Sequence, residues 1–438
     1  MQRIKKVAAA SAAVMLLGGL AACRGTESEG TTEGGIKTDF GVTSEPCPDA
    51  VNPDNGCIYL GILSDLTVGP FSPLAPAIVE AQKAFWKRVN QQGGIAGYDV
   101  DVSTYIRDNK YDAQTTVEVY QEIKPNILAL AQTLGSDTTA AILDDLKASN
   151  IVAAPAAWSS AYAFEDIILE SGANYCVETM NAIDFAKGAK PEISSIMAVH
   201  YPGDYGDDAA GGAQYAAEKL GLSFTSVITG TGVENQAGAV SQILTERPDL
   251  LIITTGPREM AAIVGGVYAQ AQTTGYTPMV IGTSPTWHRD LLGSPVAQAL
   301  QLAYFQSGPW GPWDSDTPGH RAMREALGEP DTITDGFTAG WVWSYPIKAA
   351  LEKAAENGDL TRAGVFAAAK SLTSVDYEGM LPSGAGNFAA GPSGQVKATI
   401  ISRPDPESST GVTPVTDLMV GPTAQGFDLT EPCYEMLH

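Results

Sequence analysis

At 438 residues the chain is longer than one hydrophobic core normally supports, so two lobes are expected. Its 50 Asp and Glu outnumber its 26 Lys and Arg, a formal net charge of −24, which excludes nucleic acid and anionic membrane surfaces as natural partners.

The N-terminus carries Arg3, Lys5 and Lys6 ahead of an uncharged apolar run over 7–20. That is the layout of a secretory signal, and the run is short for a membrane span. Its end, Leu20-Ala21-Ala22-Cys23, resembles the lipobox of bacterial lipoproteins. The resemblance implies cleavage before Cys23 and a diacylglycerol on its thiol. Loss of residues 1–22 removes three positive charges and no negative one, taking the charge from −24 to −27. No second apolar stretch reaches 18 residues, so the lipid is the one membrane anchor expected. Residues 24–45 are mostly Gly, Thr, Ser and Glu and predict a flexible tether. Four cysteines remain, an even number that favours disulfides in an exported protein. Cys47 and Cys57 flank a turn-rich loop and are paired on that ground; Cys176–Cys433 follows by elimination. The spacing matches no zinc pattern, and no metal or cofactor is expected.

From residue 58 short apolar runs alternate with longer amphipathic ones. Strands are expected at 58–63, 100–106, 126–131 and 151–154, with helices at 75–92, 113–123 and 138–148. The helix over 75–92 shows Ile78, Ala81, Phe85 and Val89 on one stripe and stops at Gly93-Gly94. The rhythm restarts after Asn181, with strands at 193–199, 223–228, 250–254 and 279–281 and helices at 209–220, 236–247 and 258–273. Further helices are expected at 318–327, 336–356 and 361–371, and strands at 396–402 and 418–420. This order predicts an α/β protein of two lobes, each a mostly parallel sheet flanked by helices.

Several stretches, in order, resemble the type I periplasmic binding proteins of the leucine/isoleucine/valine-binding group. They are Gly61-Ile62-Leu63-Ser64, Val89-Asn90-Gln91-Gln92-Gly93-Gly94-Ile95-Ala96-Gly97, and Arg107-Asp108-Asn109 with Asp112-Ala113-Gln114. Leu134-Gly135-Ser136, Ala154-Pro155-Ala156-Ala157 and Asp204-Tyr205-Gly206 follow. The resemblance covers 58 to about 293 and implies a clamshell crossed three times by the chain, near 175–180, 302–305 and 375–380. The expected division is a signal (1–22), a lipidated tether (23–46), a first lobe (47–178 plus 306–376) and a second (179–305 plus 377–438).

Ligands of open α/β sheets sit beyond the C-terminal ends of the strands, which points to the loops at 66–71, 133–137 and 155–160. In relatives that bind amino acids a hydroxyl and backbone N–H groups there hold the α-carboxylate. Ser136 is the matching hydroxyl, with Ala156 and Ala157 on the next loop; Ser136 equally suits the N-cap of the following helix. Trp158 stands where those relatives have a small hydroxyl. Thr283-Ser284-Pro285 stands where they have an acid for the ammonium, and Asp184 is a partial substitute. A buried ammonium without a carboxylate is costly. Phe71, Trp158, Tyr205 and Trp287 suit an aromatic or apolar body, while Trp310 and Trp313 read as packing or a cleft rim.

The family implies a lipid-anchored solute-binding protein on the outer face of the cell membrane. It would act as a monomer with a small-molecule ligand and ABC importer permease subunits as partners. The same fold also serves as the ligand sensor of a signalling receptor. Nothing resembles an enzyme motif: there is no Gly-x-Ser-x-Gly, His-Glu-x-x-His or P-loop, and His200, His288, His320 and His438 are scattered.

Overall fold

A computed structural model describes residues 30–31 and 35–437. The expected signal, the expected lipidation site Cys23, residues 24–29 and 32–34 of the tether and His438 lie outside the described residues.

The first sheet runs Tyr98–Asp108, Gly56–Ser64, Ala129–Leu134, Ala153–Ala156, all parallel. Nearly every residue of Gly56–Ser64 is buried, as expected of a parallel strand covered on both faces. The second sheet runs Val412–Pro414, Ile400–Pro404, Tyr304–Gly308, Met279–Gly282, Leu250–Thr254, Ser195–His200, Ser223–Ile228. Its last five strands are mutually parallel, while the first two pair antiparallel at one edge. In each sheet the first of the parallel strands in sequence sits between the second and third, the switch point at which open α/β sheets bind ligands.

Helix Ala75–Gln91 closes the first sheet with Asp335–Glu356 packed along it. Gly340 allows this approach: a Cβ there would lie 2.1 Å from the Ile78 carbonyl oxygen. The first core joins Ile58, Phe85 and Leu130 to Trp341, Leu351 and Leu381, although these lie hundreds of residues apart. Both disulfides are present, Cys47–Cys57 and Cys176–Cys433, with Cα separations of 4.9 and 6.1 Å.

Three sequence expectations need correction. Residues 35–46 are not free tether. Lys37–Thr38 pairs with Asp359–Leu360, and Val42–Thr43 with Gly56–Ser64. Asp39 Oδ1 accepts from Arg362 N at 3.0 Å, and the Arg362 guanidinium stacks over Phe40 at 4.4 Å. Backbone pairing at a sheet edge needs few apolar side chains, so composition hides it.

Two of the crossings also move. The first stays within the expected range, since Tyr175 is buried in the first core and Cys176, Val177 and Met180 in the second. The second falls after Gly308, because Tyr304–Gly308 is a strand of the second sheet. The third lies near 396–400, since Val375, Tyr377, Met380 and Leu381 are buried in the first core and Ile401 in the second.

Finally, 418–420 forms only an isolated bridge, Thr399 to Met419. The turn closed by Asp405 N donating to Gly411 O at 2.8 Å returns the chain early, and Val412–Pro414 takes the edge.

Candidate ligand cleft

One cavity of about 90 Å³ lies between the lobes at the C-terminal ends of both sheets. One ordered water needs ~10–15 Å³, so the space suits a small organic molecule. From the first lobe, Asp65 shapes the leading loop by accepting from Gly69 N and Phe71 N, each at 2.8 Å, which turns Phe71 into the cavity. Tyr111 meets Phe71 edge-on at 4.9 Å. Trp158 donates Nε1–H to Ser171 O at 2.8 Å, fixing a ring that touches Tyr175, Trp310 and Trp343 at 5.8, 5.4 and 5.0 Å.

Gly135, not Ser136, is the N-cap of helix Ser136–Ser149, and no side chain caps that end. Ser136 Oγ is therefore not spent on the helix. It is buried and lines the cavity with only the Tyr162 hydroxyl nearby and no well-formed hydrogen bond, and the first turn's N–H groups are left for a ligand.

From the second lobe, the Tyr205 hydroxyl is held 3.1 Å from Thr283 Oγ1, and Trp287 stacks on Tyr304 at 5.5 Å. Ser284 donates its N–H to Glu178 Oε1 at 2.8 Å. Gln306, Ser307 and Asp335 complete this end, with Gln306 Nε2 lying 3.2 Å from Ser284 O and 3.4 Å from Asp335 Oδ2. Among the described lining residues there is no Lys, Arg or His, and Asp335 is the one carboxyl.

Burial pushes Asp335 up to about 6 and Glu178 and Asp208 up to about 7. Beside the cavity, Asp204 N donates to Asp137 Oδ1 at 3.3 Å, so the lobes touch there. Burial and the facing Asp137 carboxyl hold Asp204 well above the usual carboxylate range. Each of these acids binds its proton more tightly folded than unfolded. Their contribution to stability is full below about pH 4 and falls as pH rises through 6 to 7. Depressed carboxyls such as Asp99 and Asp145 act below that window. The thermal midpoint should therefore be higher at pH 5 than at pH 8 in calorimetry. A midpoint that is flat or rises over that range would show that these carboxyls are not desolvated.

The sequence profile of the periplasmic binding proteins matches residues 58–400. The chain belongs to this family. Several solved structures share the fold of this periplasmic binding protein. A fatty acid ABC transporter substrate-binding protein from Thermomonospora curvata is 27% identical, with a TM-score of 0.81, over 90% of this chain and 97% of that one. A branched chain amino acid ABC transporter protein from Thermus thermophilus with bound valine is 16% identical, with a TM-score of 0.71, over 85% and 98%. A solute binding protein from Rhodopseudomonas palustris HaA2 in complex with p-hydroxybenzoic acid is 14% identical, with a TM-score of 0.68, over 84% and 98%. No curated protein matches the chain significantly.

In this binding protein the cavity brings together Phe71, Ser136, Ala156, Ala157, Trp158, Tyr205, Ser284 and Trp287. Asp184 is the exception. It lies on the far part of helix Tyr175–Ala189, accepting from Thr423 N at 2.8 Å and Thr423 Oγ1 at 2.7 Å. The acid beside Ser284 is Glu178, on the first turn of the same helix. Sequence reasoning missed Tyr111, Tyr175, Trp343, Gln306, Ser307 and Asp335. Trp310 lines the cavity, whereas Trp313 is buried against Phe337 at 5.7 Å. His200 and His320 are buried and lie against backbone carbonyls; His288 sits beside Asp290 and does not line the cavity.

Proposed function

We propose that this chain is an exported lipoprotein that captures a small acid or amide with an aromatic or apolar body and delivers it to an ABC importer. The carrying observation is the uncapped start of helix Ser136–Ser149, with the Ser136 hydroxyl in no well-formed hydrogen bond, opening into a cavity walled by aromatic rings. Unpaired N–H groups and a helix dipole favour an anionic oxygen. Rings favour the apolar remainder over a short branched side chain. The Thermomonospora curvata protein, 27% identical over 90% of this chain and described as a fatty acid carrier, supports an apolar acid. The work is binding: closing the cleft on ligand presents a distinct shape to the permease subunits.

Calorimetric titration with leucine, valine, hexanoate and benzoate tests the ligand class. The apolar acids should bind and the branched-chain amino acids should bind at least tenfold more weakly. Micromolar leucine or valine with no binding of either acid would refute this ligand class and leave the transport role standing. The anchor is tested separately: Cys23→Ser should move the protein from membranes to the soluble fraction, and a cleaved variant that stays membrane-bound would refute lipidation.

A further inference from the structure

The two polar ends of the cavity are chemically unlike. The end at Ser136 presents donors: open helix N–H groups and a hydroxyl in no well-formed hydrogen bond. The other end is rich in acceptors. Asp335 stands at the start of helix Asp335–Glu356 and receives a long 3.4 Å contact from a Gln306 amide that is shared with Ser284 O. Ser307 Oγ is buried beside it, facing the Glu178 carboxyl without a well-formed hydrogen bond. Glu178 backs the same corner through Ser284. No cationic side chain lines the cavity among the described residues, so nothing in the protein neutralises this corner.

We propose that Asp335, helped by Gln306 and Ser307, is a second ligand anchor, selecting acids whose apolar body carries a hydrogen-bond donor, an amine or a hydroxyl. This rests on the reading of the Ser136 end as the carboxylate site, and it narrows the ligand from apolar acid to bifunctional acid. A desolvated carboxyl held only by the long Gln306 contact and the Thr410 hydroxyl gains from a ligand N–H or O–H. Burial raises its pKa, and a ligand amine placed there would lower it again. Gln306 belongs to the second sheet, whereas Asp335 opens a helix of the first lobe. A donor placed there therefore ties the lobes together, so selection and closure coincide.

The experiment titrates the mature protein with matched pairs, hexanoate against 6-aminohexanoate and benzoate against 4-(aminomethyl)benzoate, alongside benzylamine, which has no carboxylate. Wild-type protein should bind the donor-bearing acid at least tenfold more tightly than its plain partner. Asp335→Asn should bring that ratio within threefold, and the fall should be larger at pH 8 than at pH 5. Where the plain acids bind, equal or weaker binding of the donor-bearing acids by wild-type protein overturns the inference and needs no variant. Benzylamine separates the two ends. If it binds, and Asp335→Asn abolishes the binding, Asp335 stands even when no acid binds and the carboxylate reading falls. If plain acids bind while benzylamine and the donor-bearing acids do not, the carboxylate reading stands and Asp335 is only structural.

Discussion

Trp158→Ala is expected to weaken ligand binding more than any other single change in the cleft. The ring is buried at 5% exposure and packs on Tyr175, Trp310 and Trp343. Truncating a buried aromatic costs about 3–5 kcal/mol. Removal also strands the Ser171 carbonyl, which accepts the indole N–H. Ser136→Ala should cost less, about 1.5–3 kcal/mol, the range for a hydrogen bond to a charged group. Because Trp158 carries packing as well as cavity wall, both readouts are needed: denaturant unfolding for stability and calorimetry for affinity. Trp158→Ala protein that binds as well as Ser136→Ala protein would show that the ring is packing alone.

Removing the Cys176–Cys433 bridge, by Cys176→Ala with Cys433→Ala, should destabilise the protein by about 5 kcal/mol in the chain-entropy model. The bridge spans 257 positions. Cys47–Cys57 spans only 10, and its removal should cost about 3 kcal/mol. Native packing adds to the larger effect. The C-terminal turn lies so close to helix Asp204–Leu220 that a Cβ on Gly211 would sit 2.2 Å from Cys433 O. Cys433 N donates to Ser160 Oγ at 2.7 Å, and Ser160 in turn bonds Asp208. Guanidinium unfolding of the two double variants gives the order, and a smaller loss for Cys176–Cys433 would contradict it.

The elements legible in the sequence were those with a β-branched run or a clear capping signal. Leu250–Thr254 and Ser223–Ile228 carry β-branched runs, and helices Ala113–Ile123 and Pro318–Leu327 have clear ends in Asp112 and in Thr317-Pro318, so the expected bounds match. The family resemblance implied a crossing at 302–305, and strand Tyr304–Gly308 was not expected; its Gln306, Ser307 and Gly308 look unlike a buried strand. They are polar because they reach the cavity. The same cause hid half of the cleft. Loops near family motifs placed Phe71, Ser136 and Trp158, but Asp335 and Trp343 come from a helix that meets those loops only through the crossings. Asp184 failed on helix phase. Lying six positions beyond Glu178 and toward the other end of the helix, it faces Thr423 instead of Ser284.

Neither lobe is a continuous piece of chain, and this sets the order of events during folding. Arg362 N reaches back 323 positions to Asp39, and Arg362 Nη2 donates to Ile127 O at 2.7 Å. A chain emerging N-terminus first would expose the apolar face of Ala75–Gln91 until Asp335–Glu356 arrives to cover it. The first lobe therefore cannot finish before the second has largely appeared. Such long-range closure is slow and leaves strand edges open to other chains. A protein built this way would profit from a holding chaperone until its last hundred residues are available, and fragments ending before residue 335 should be found in aggregates.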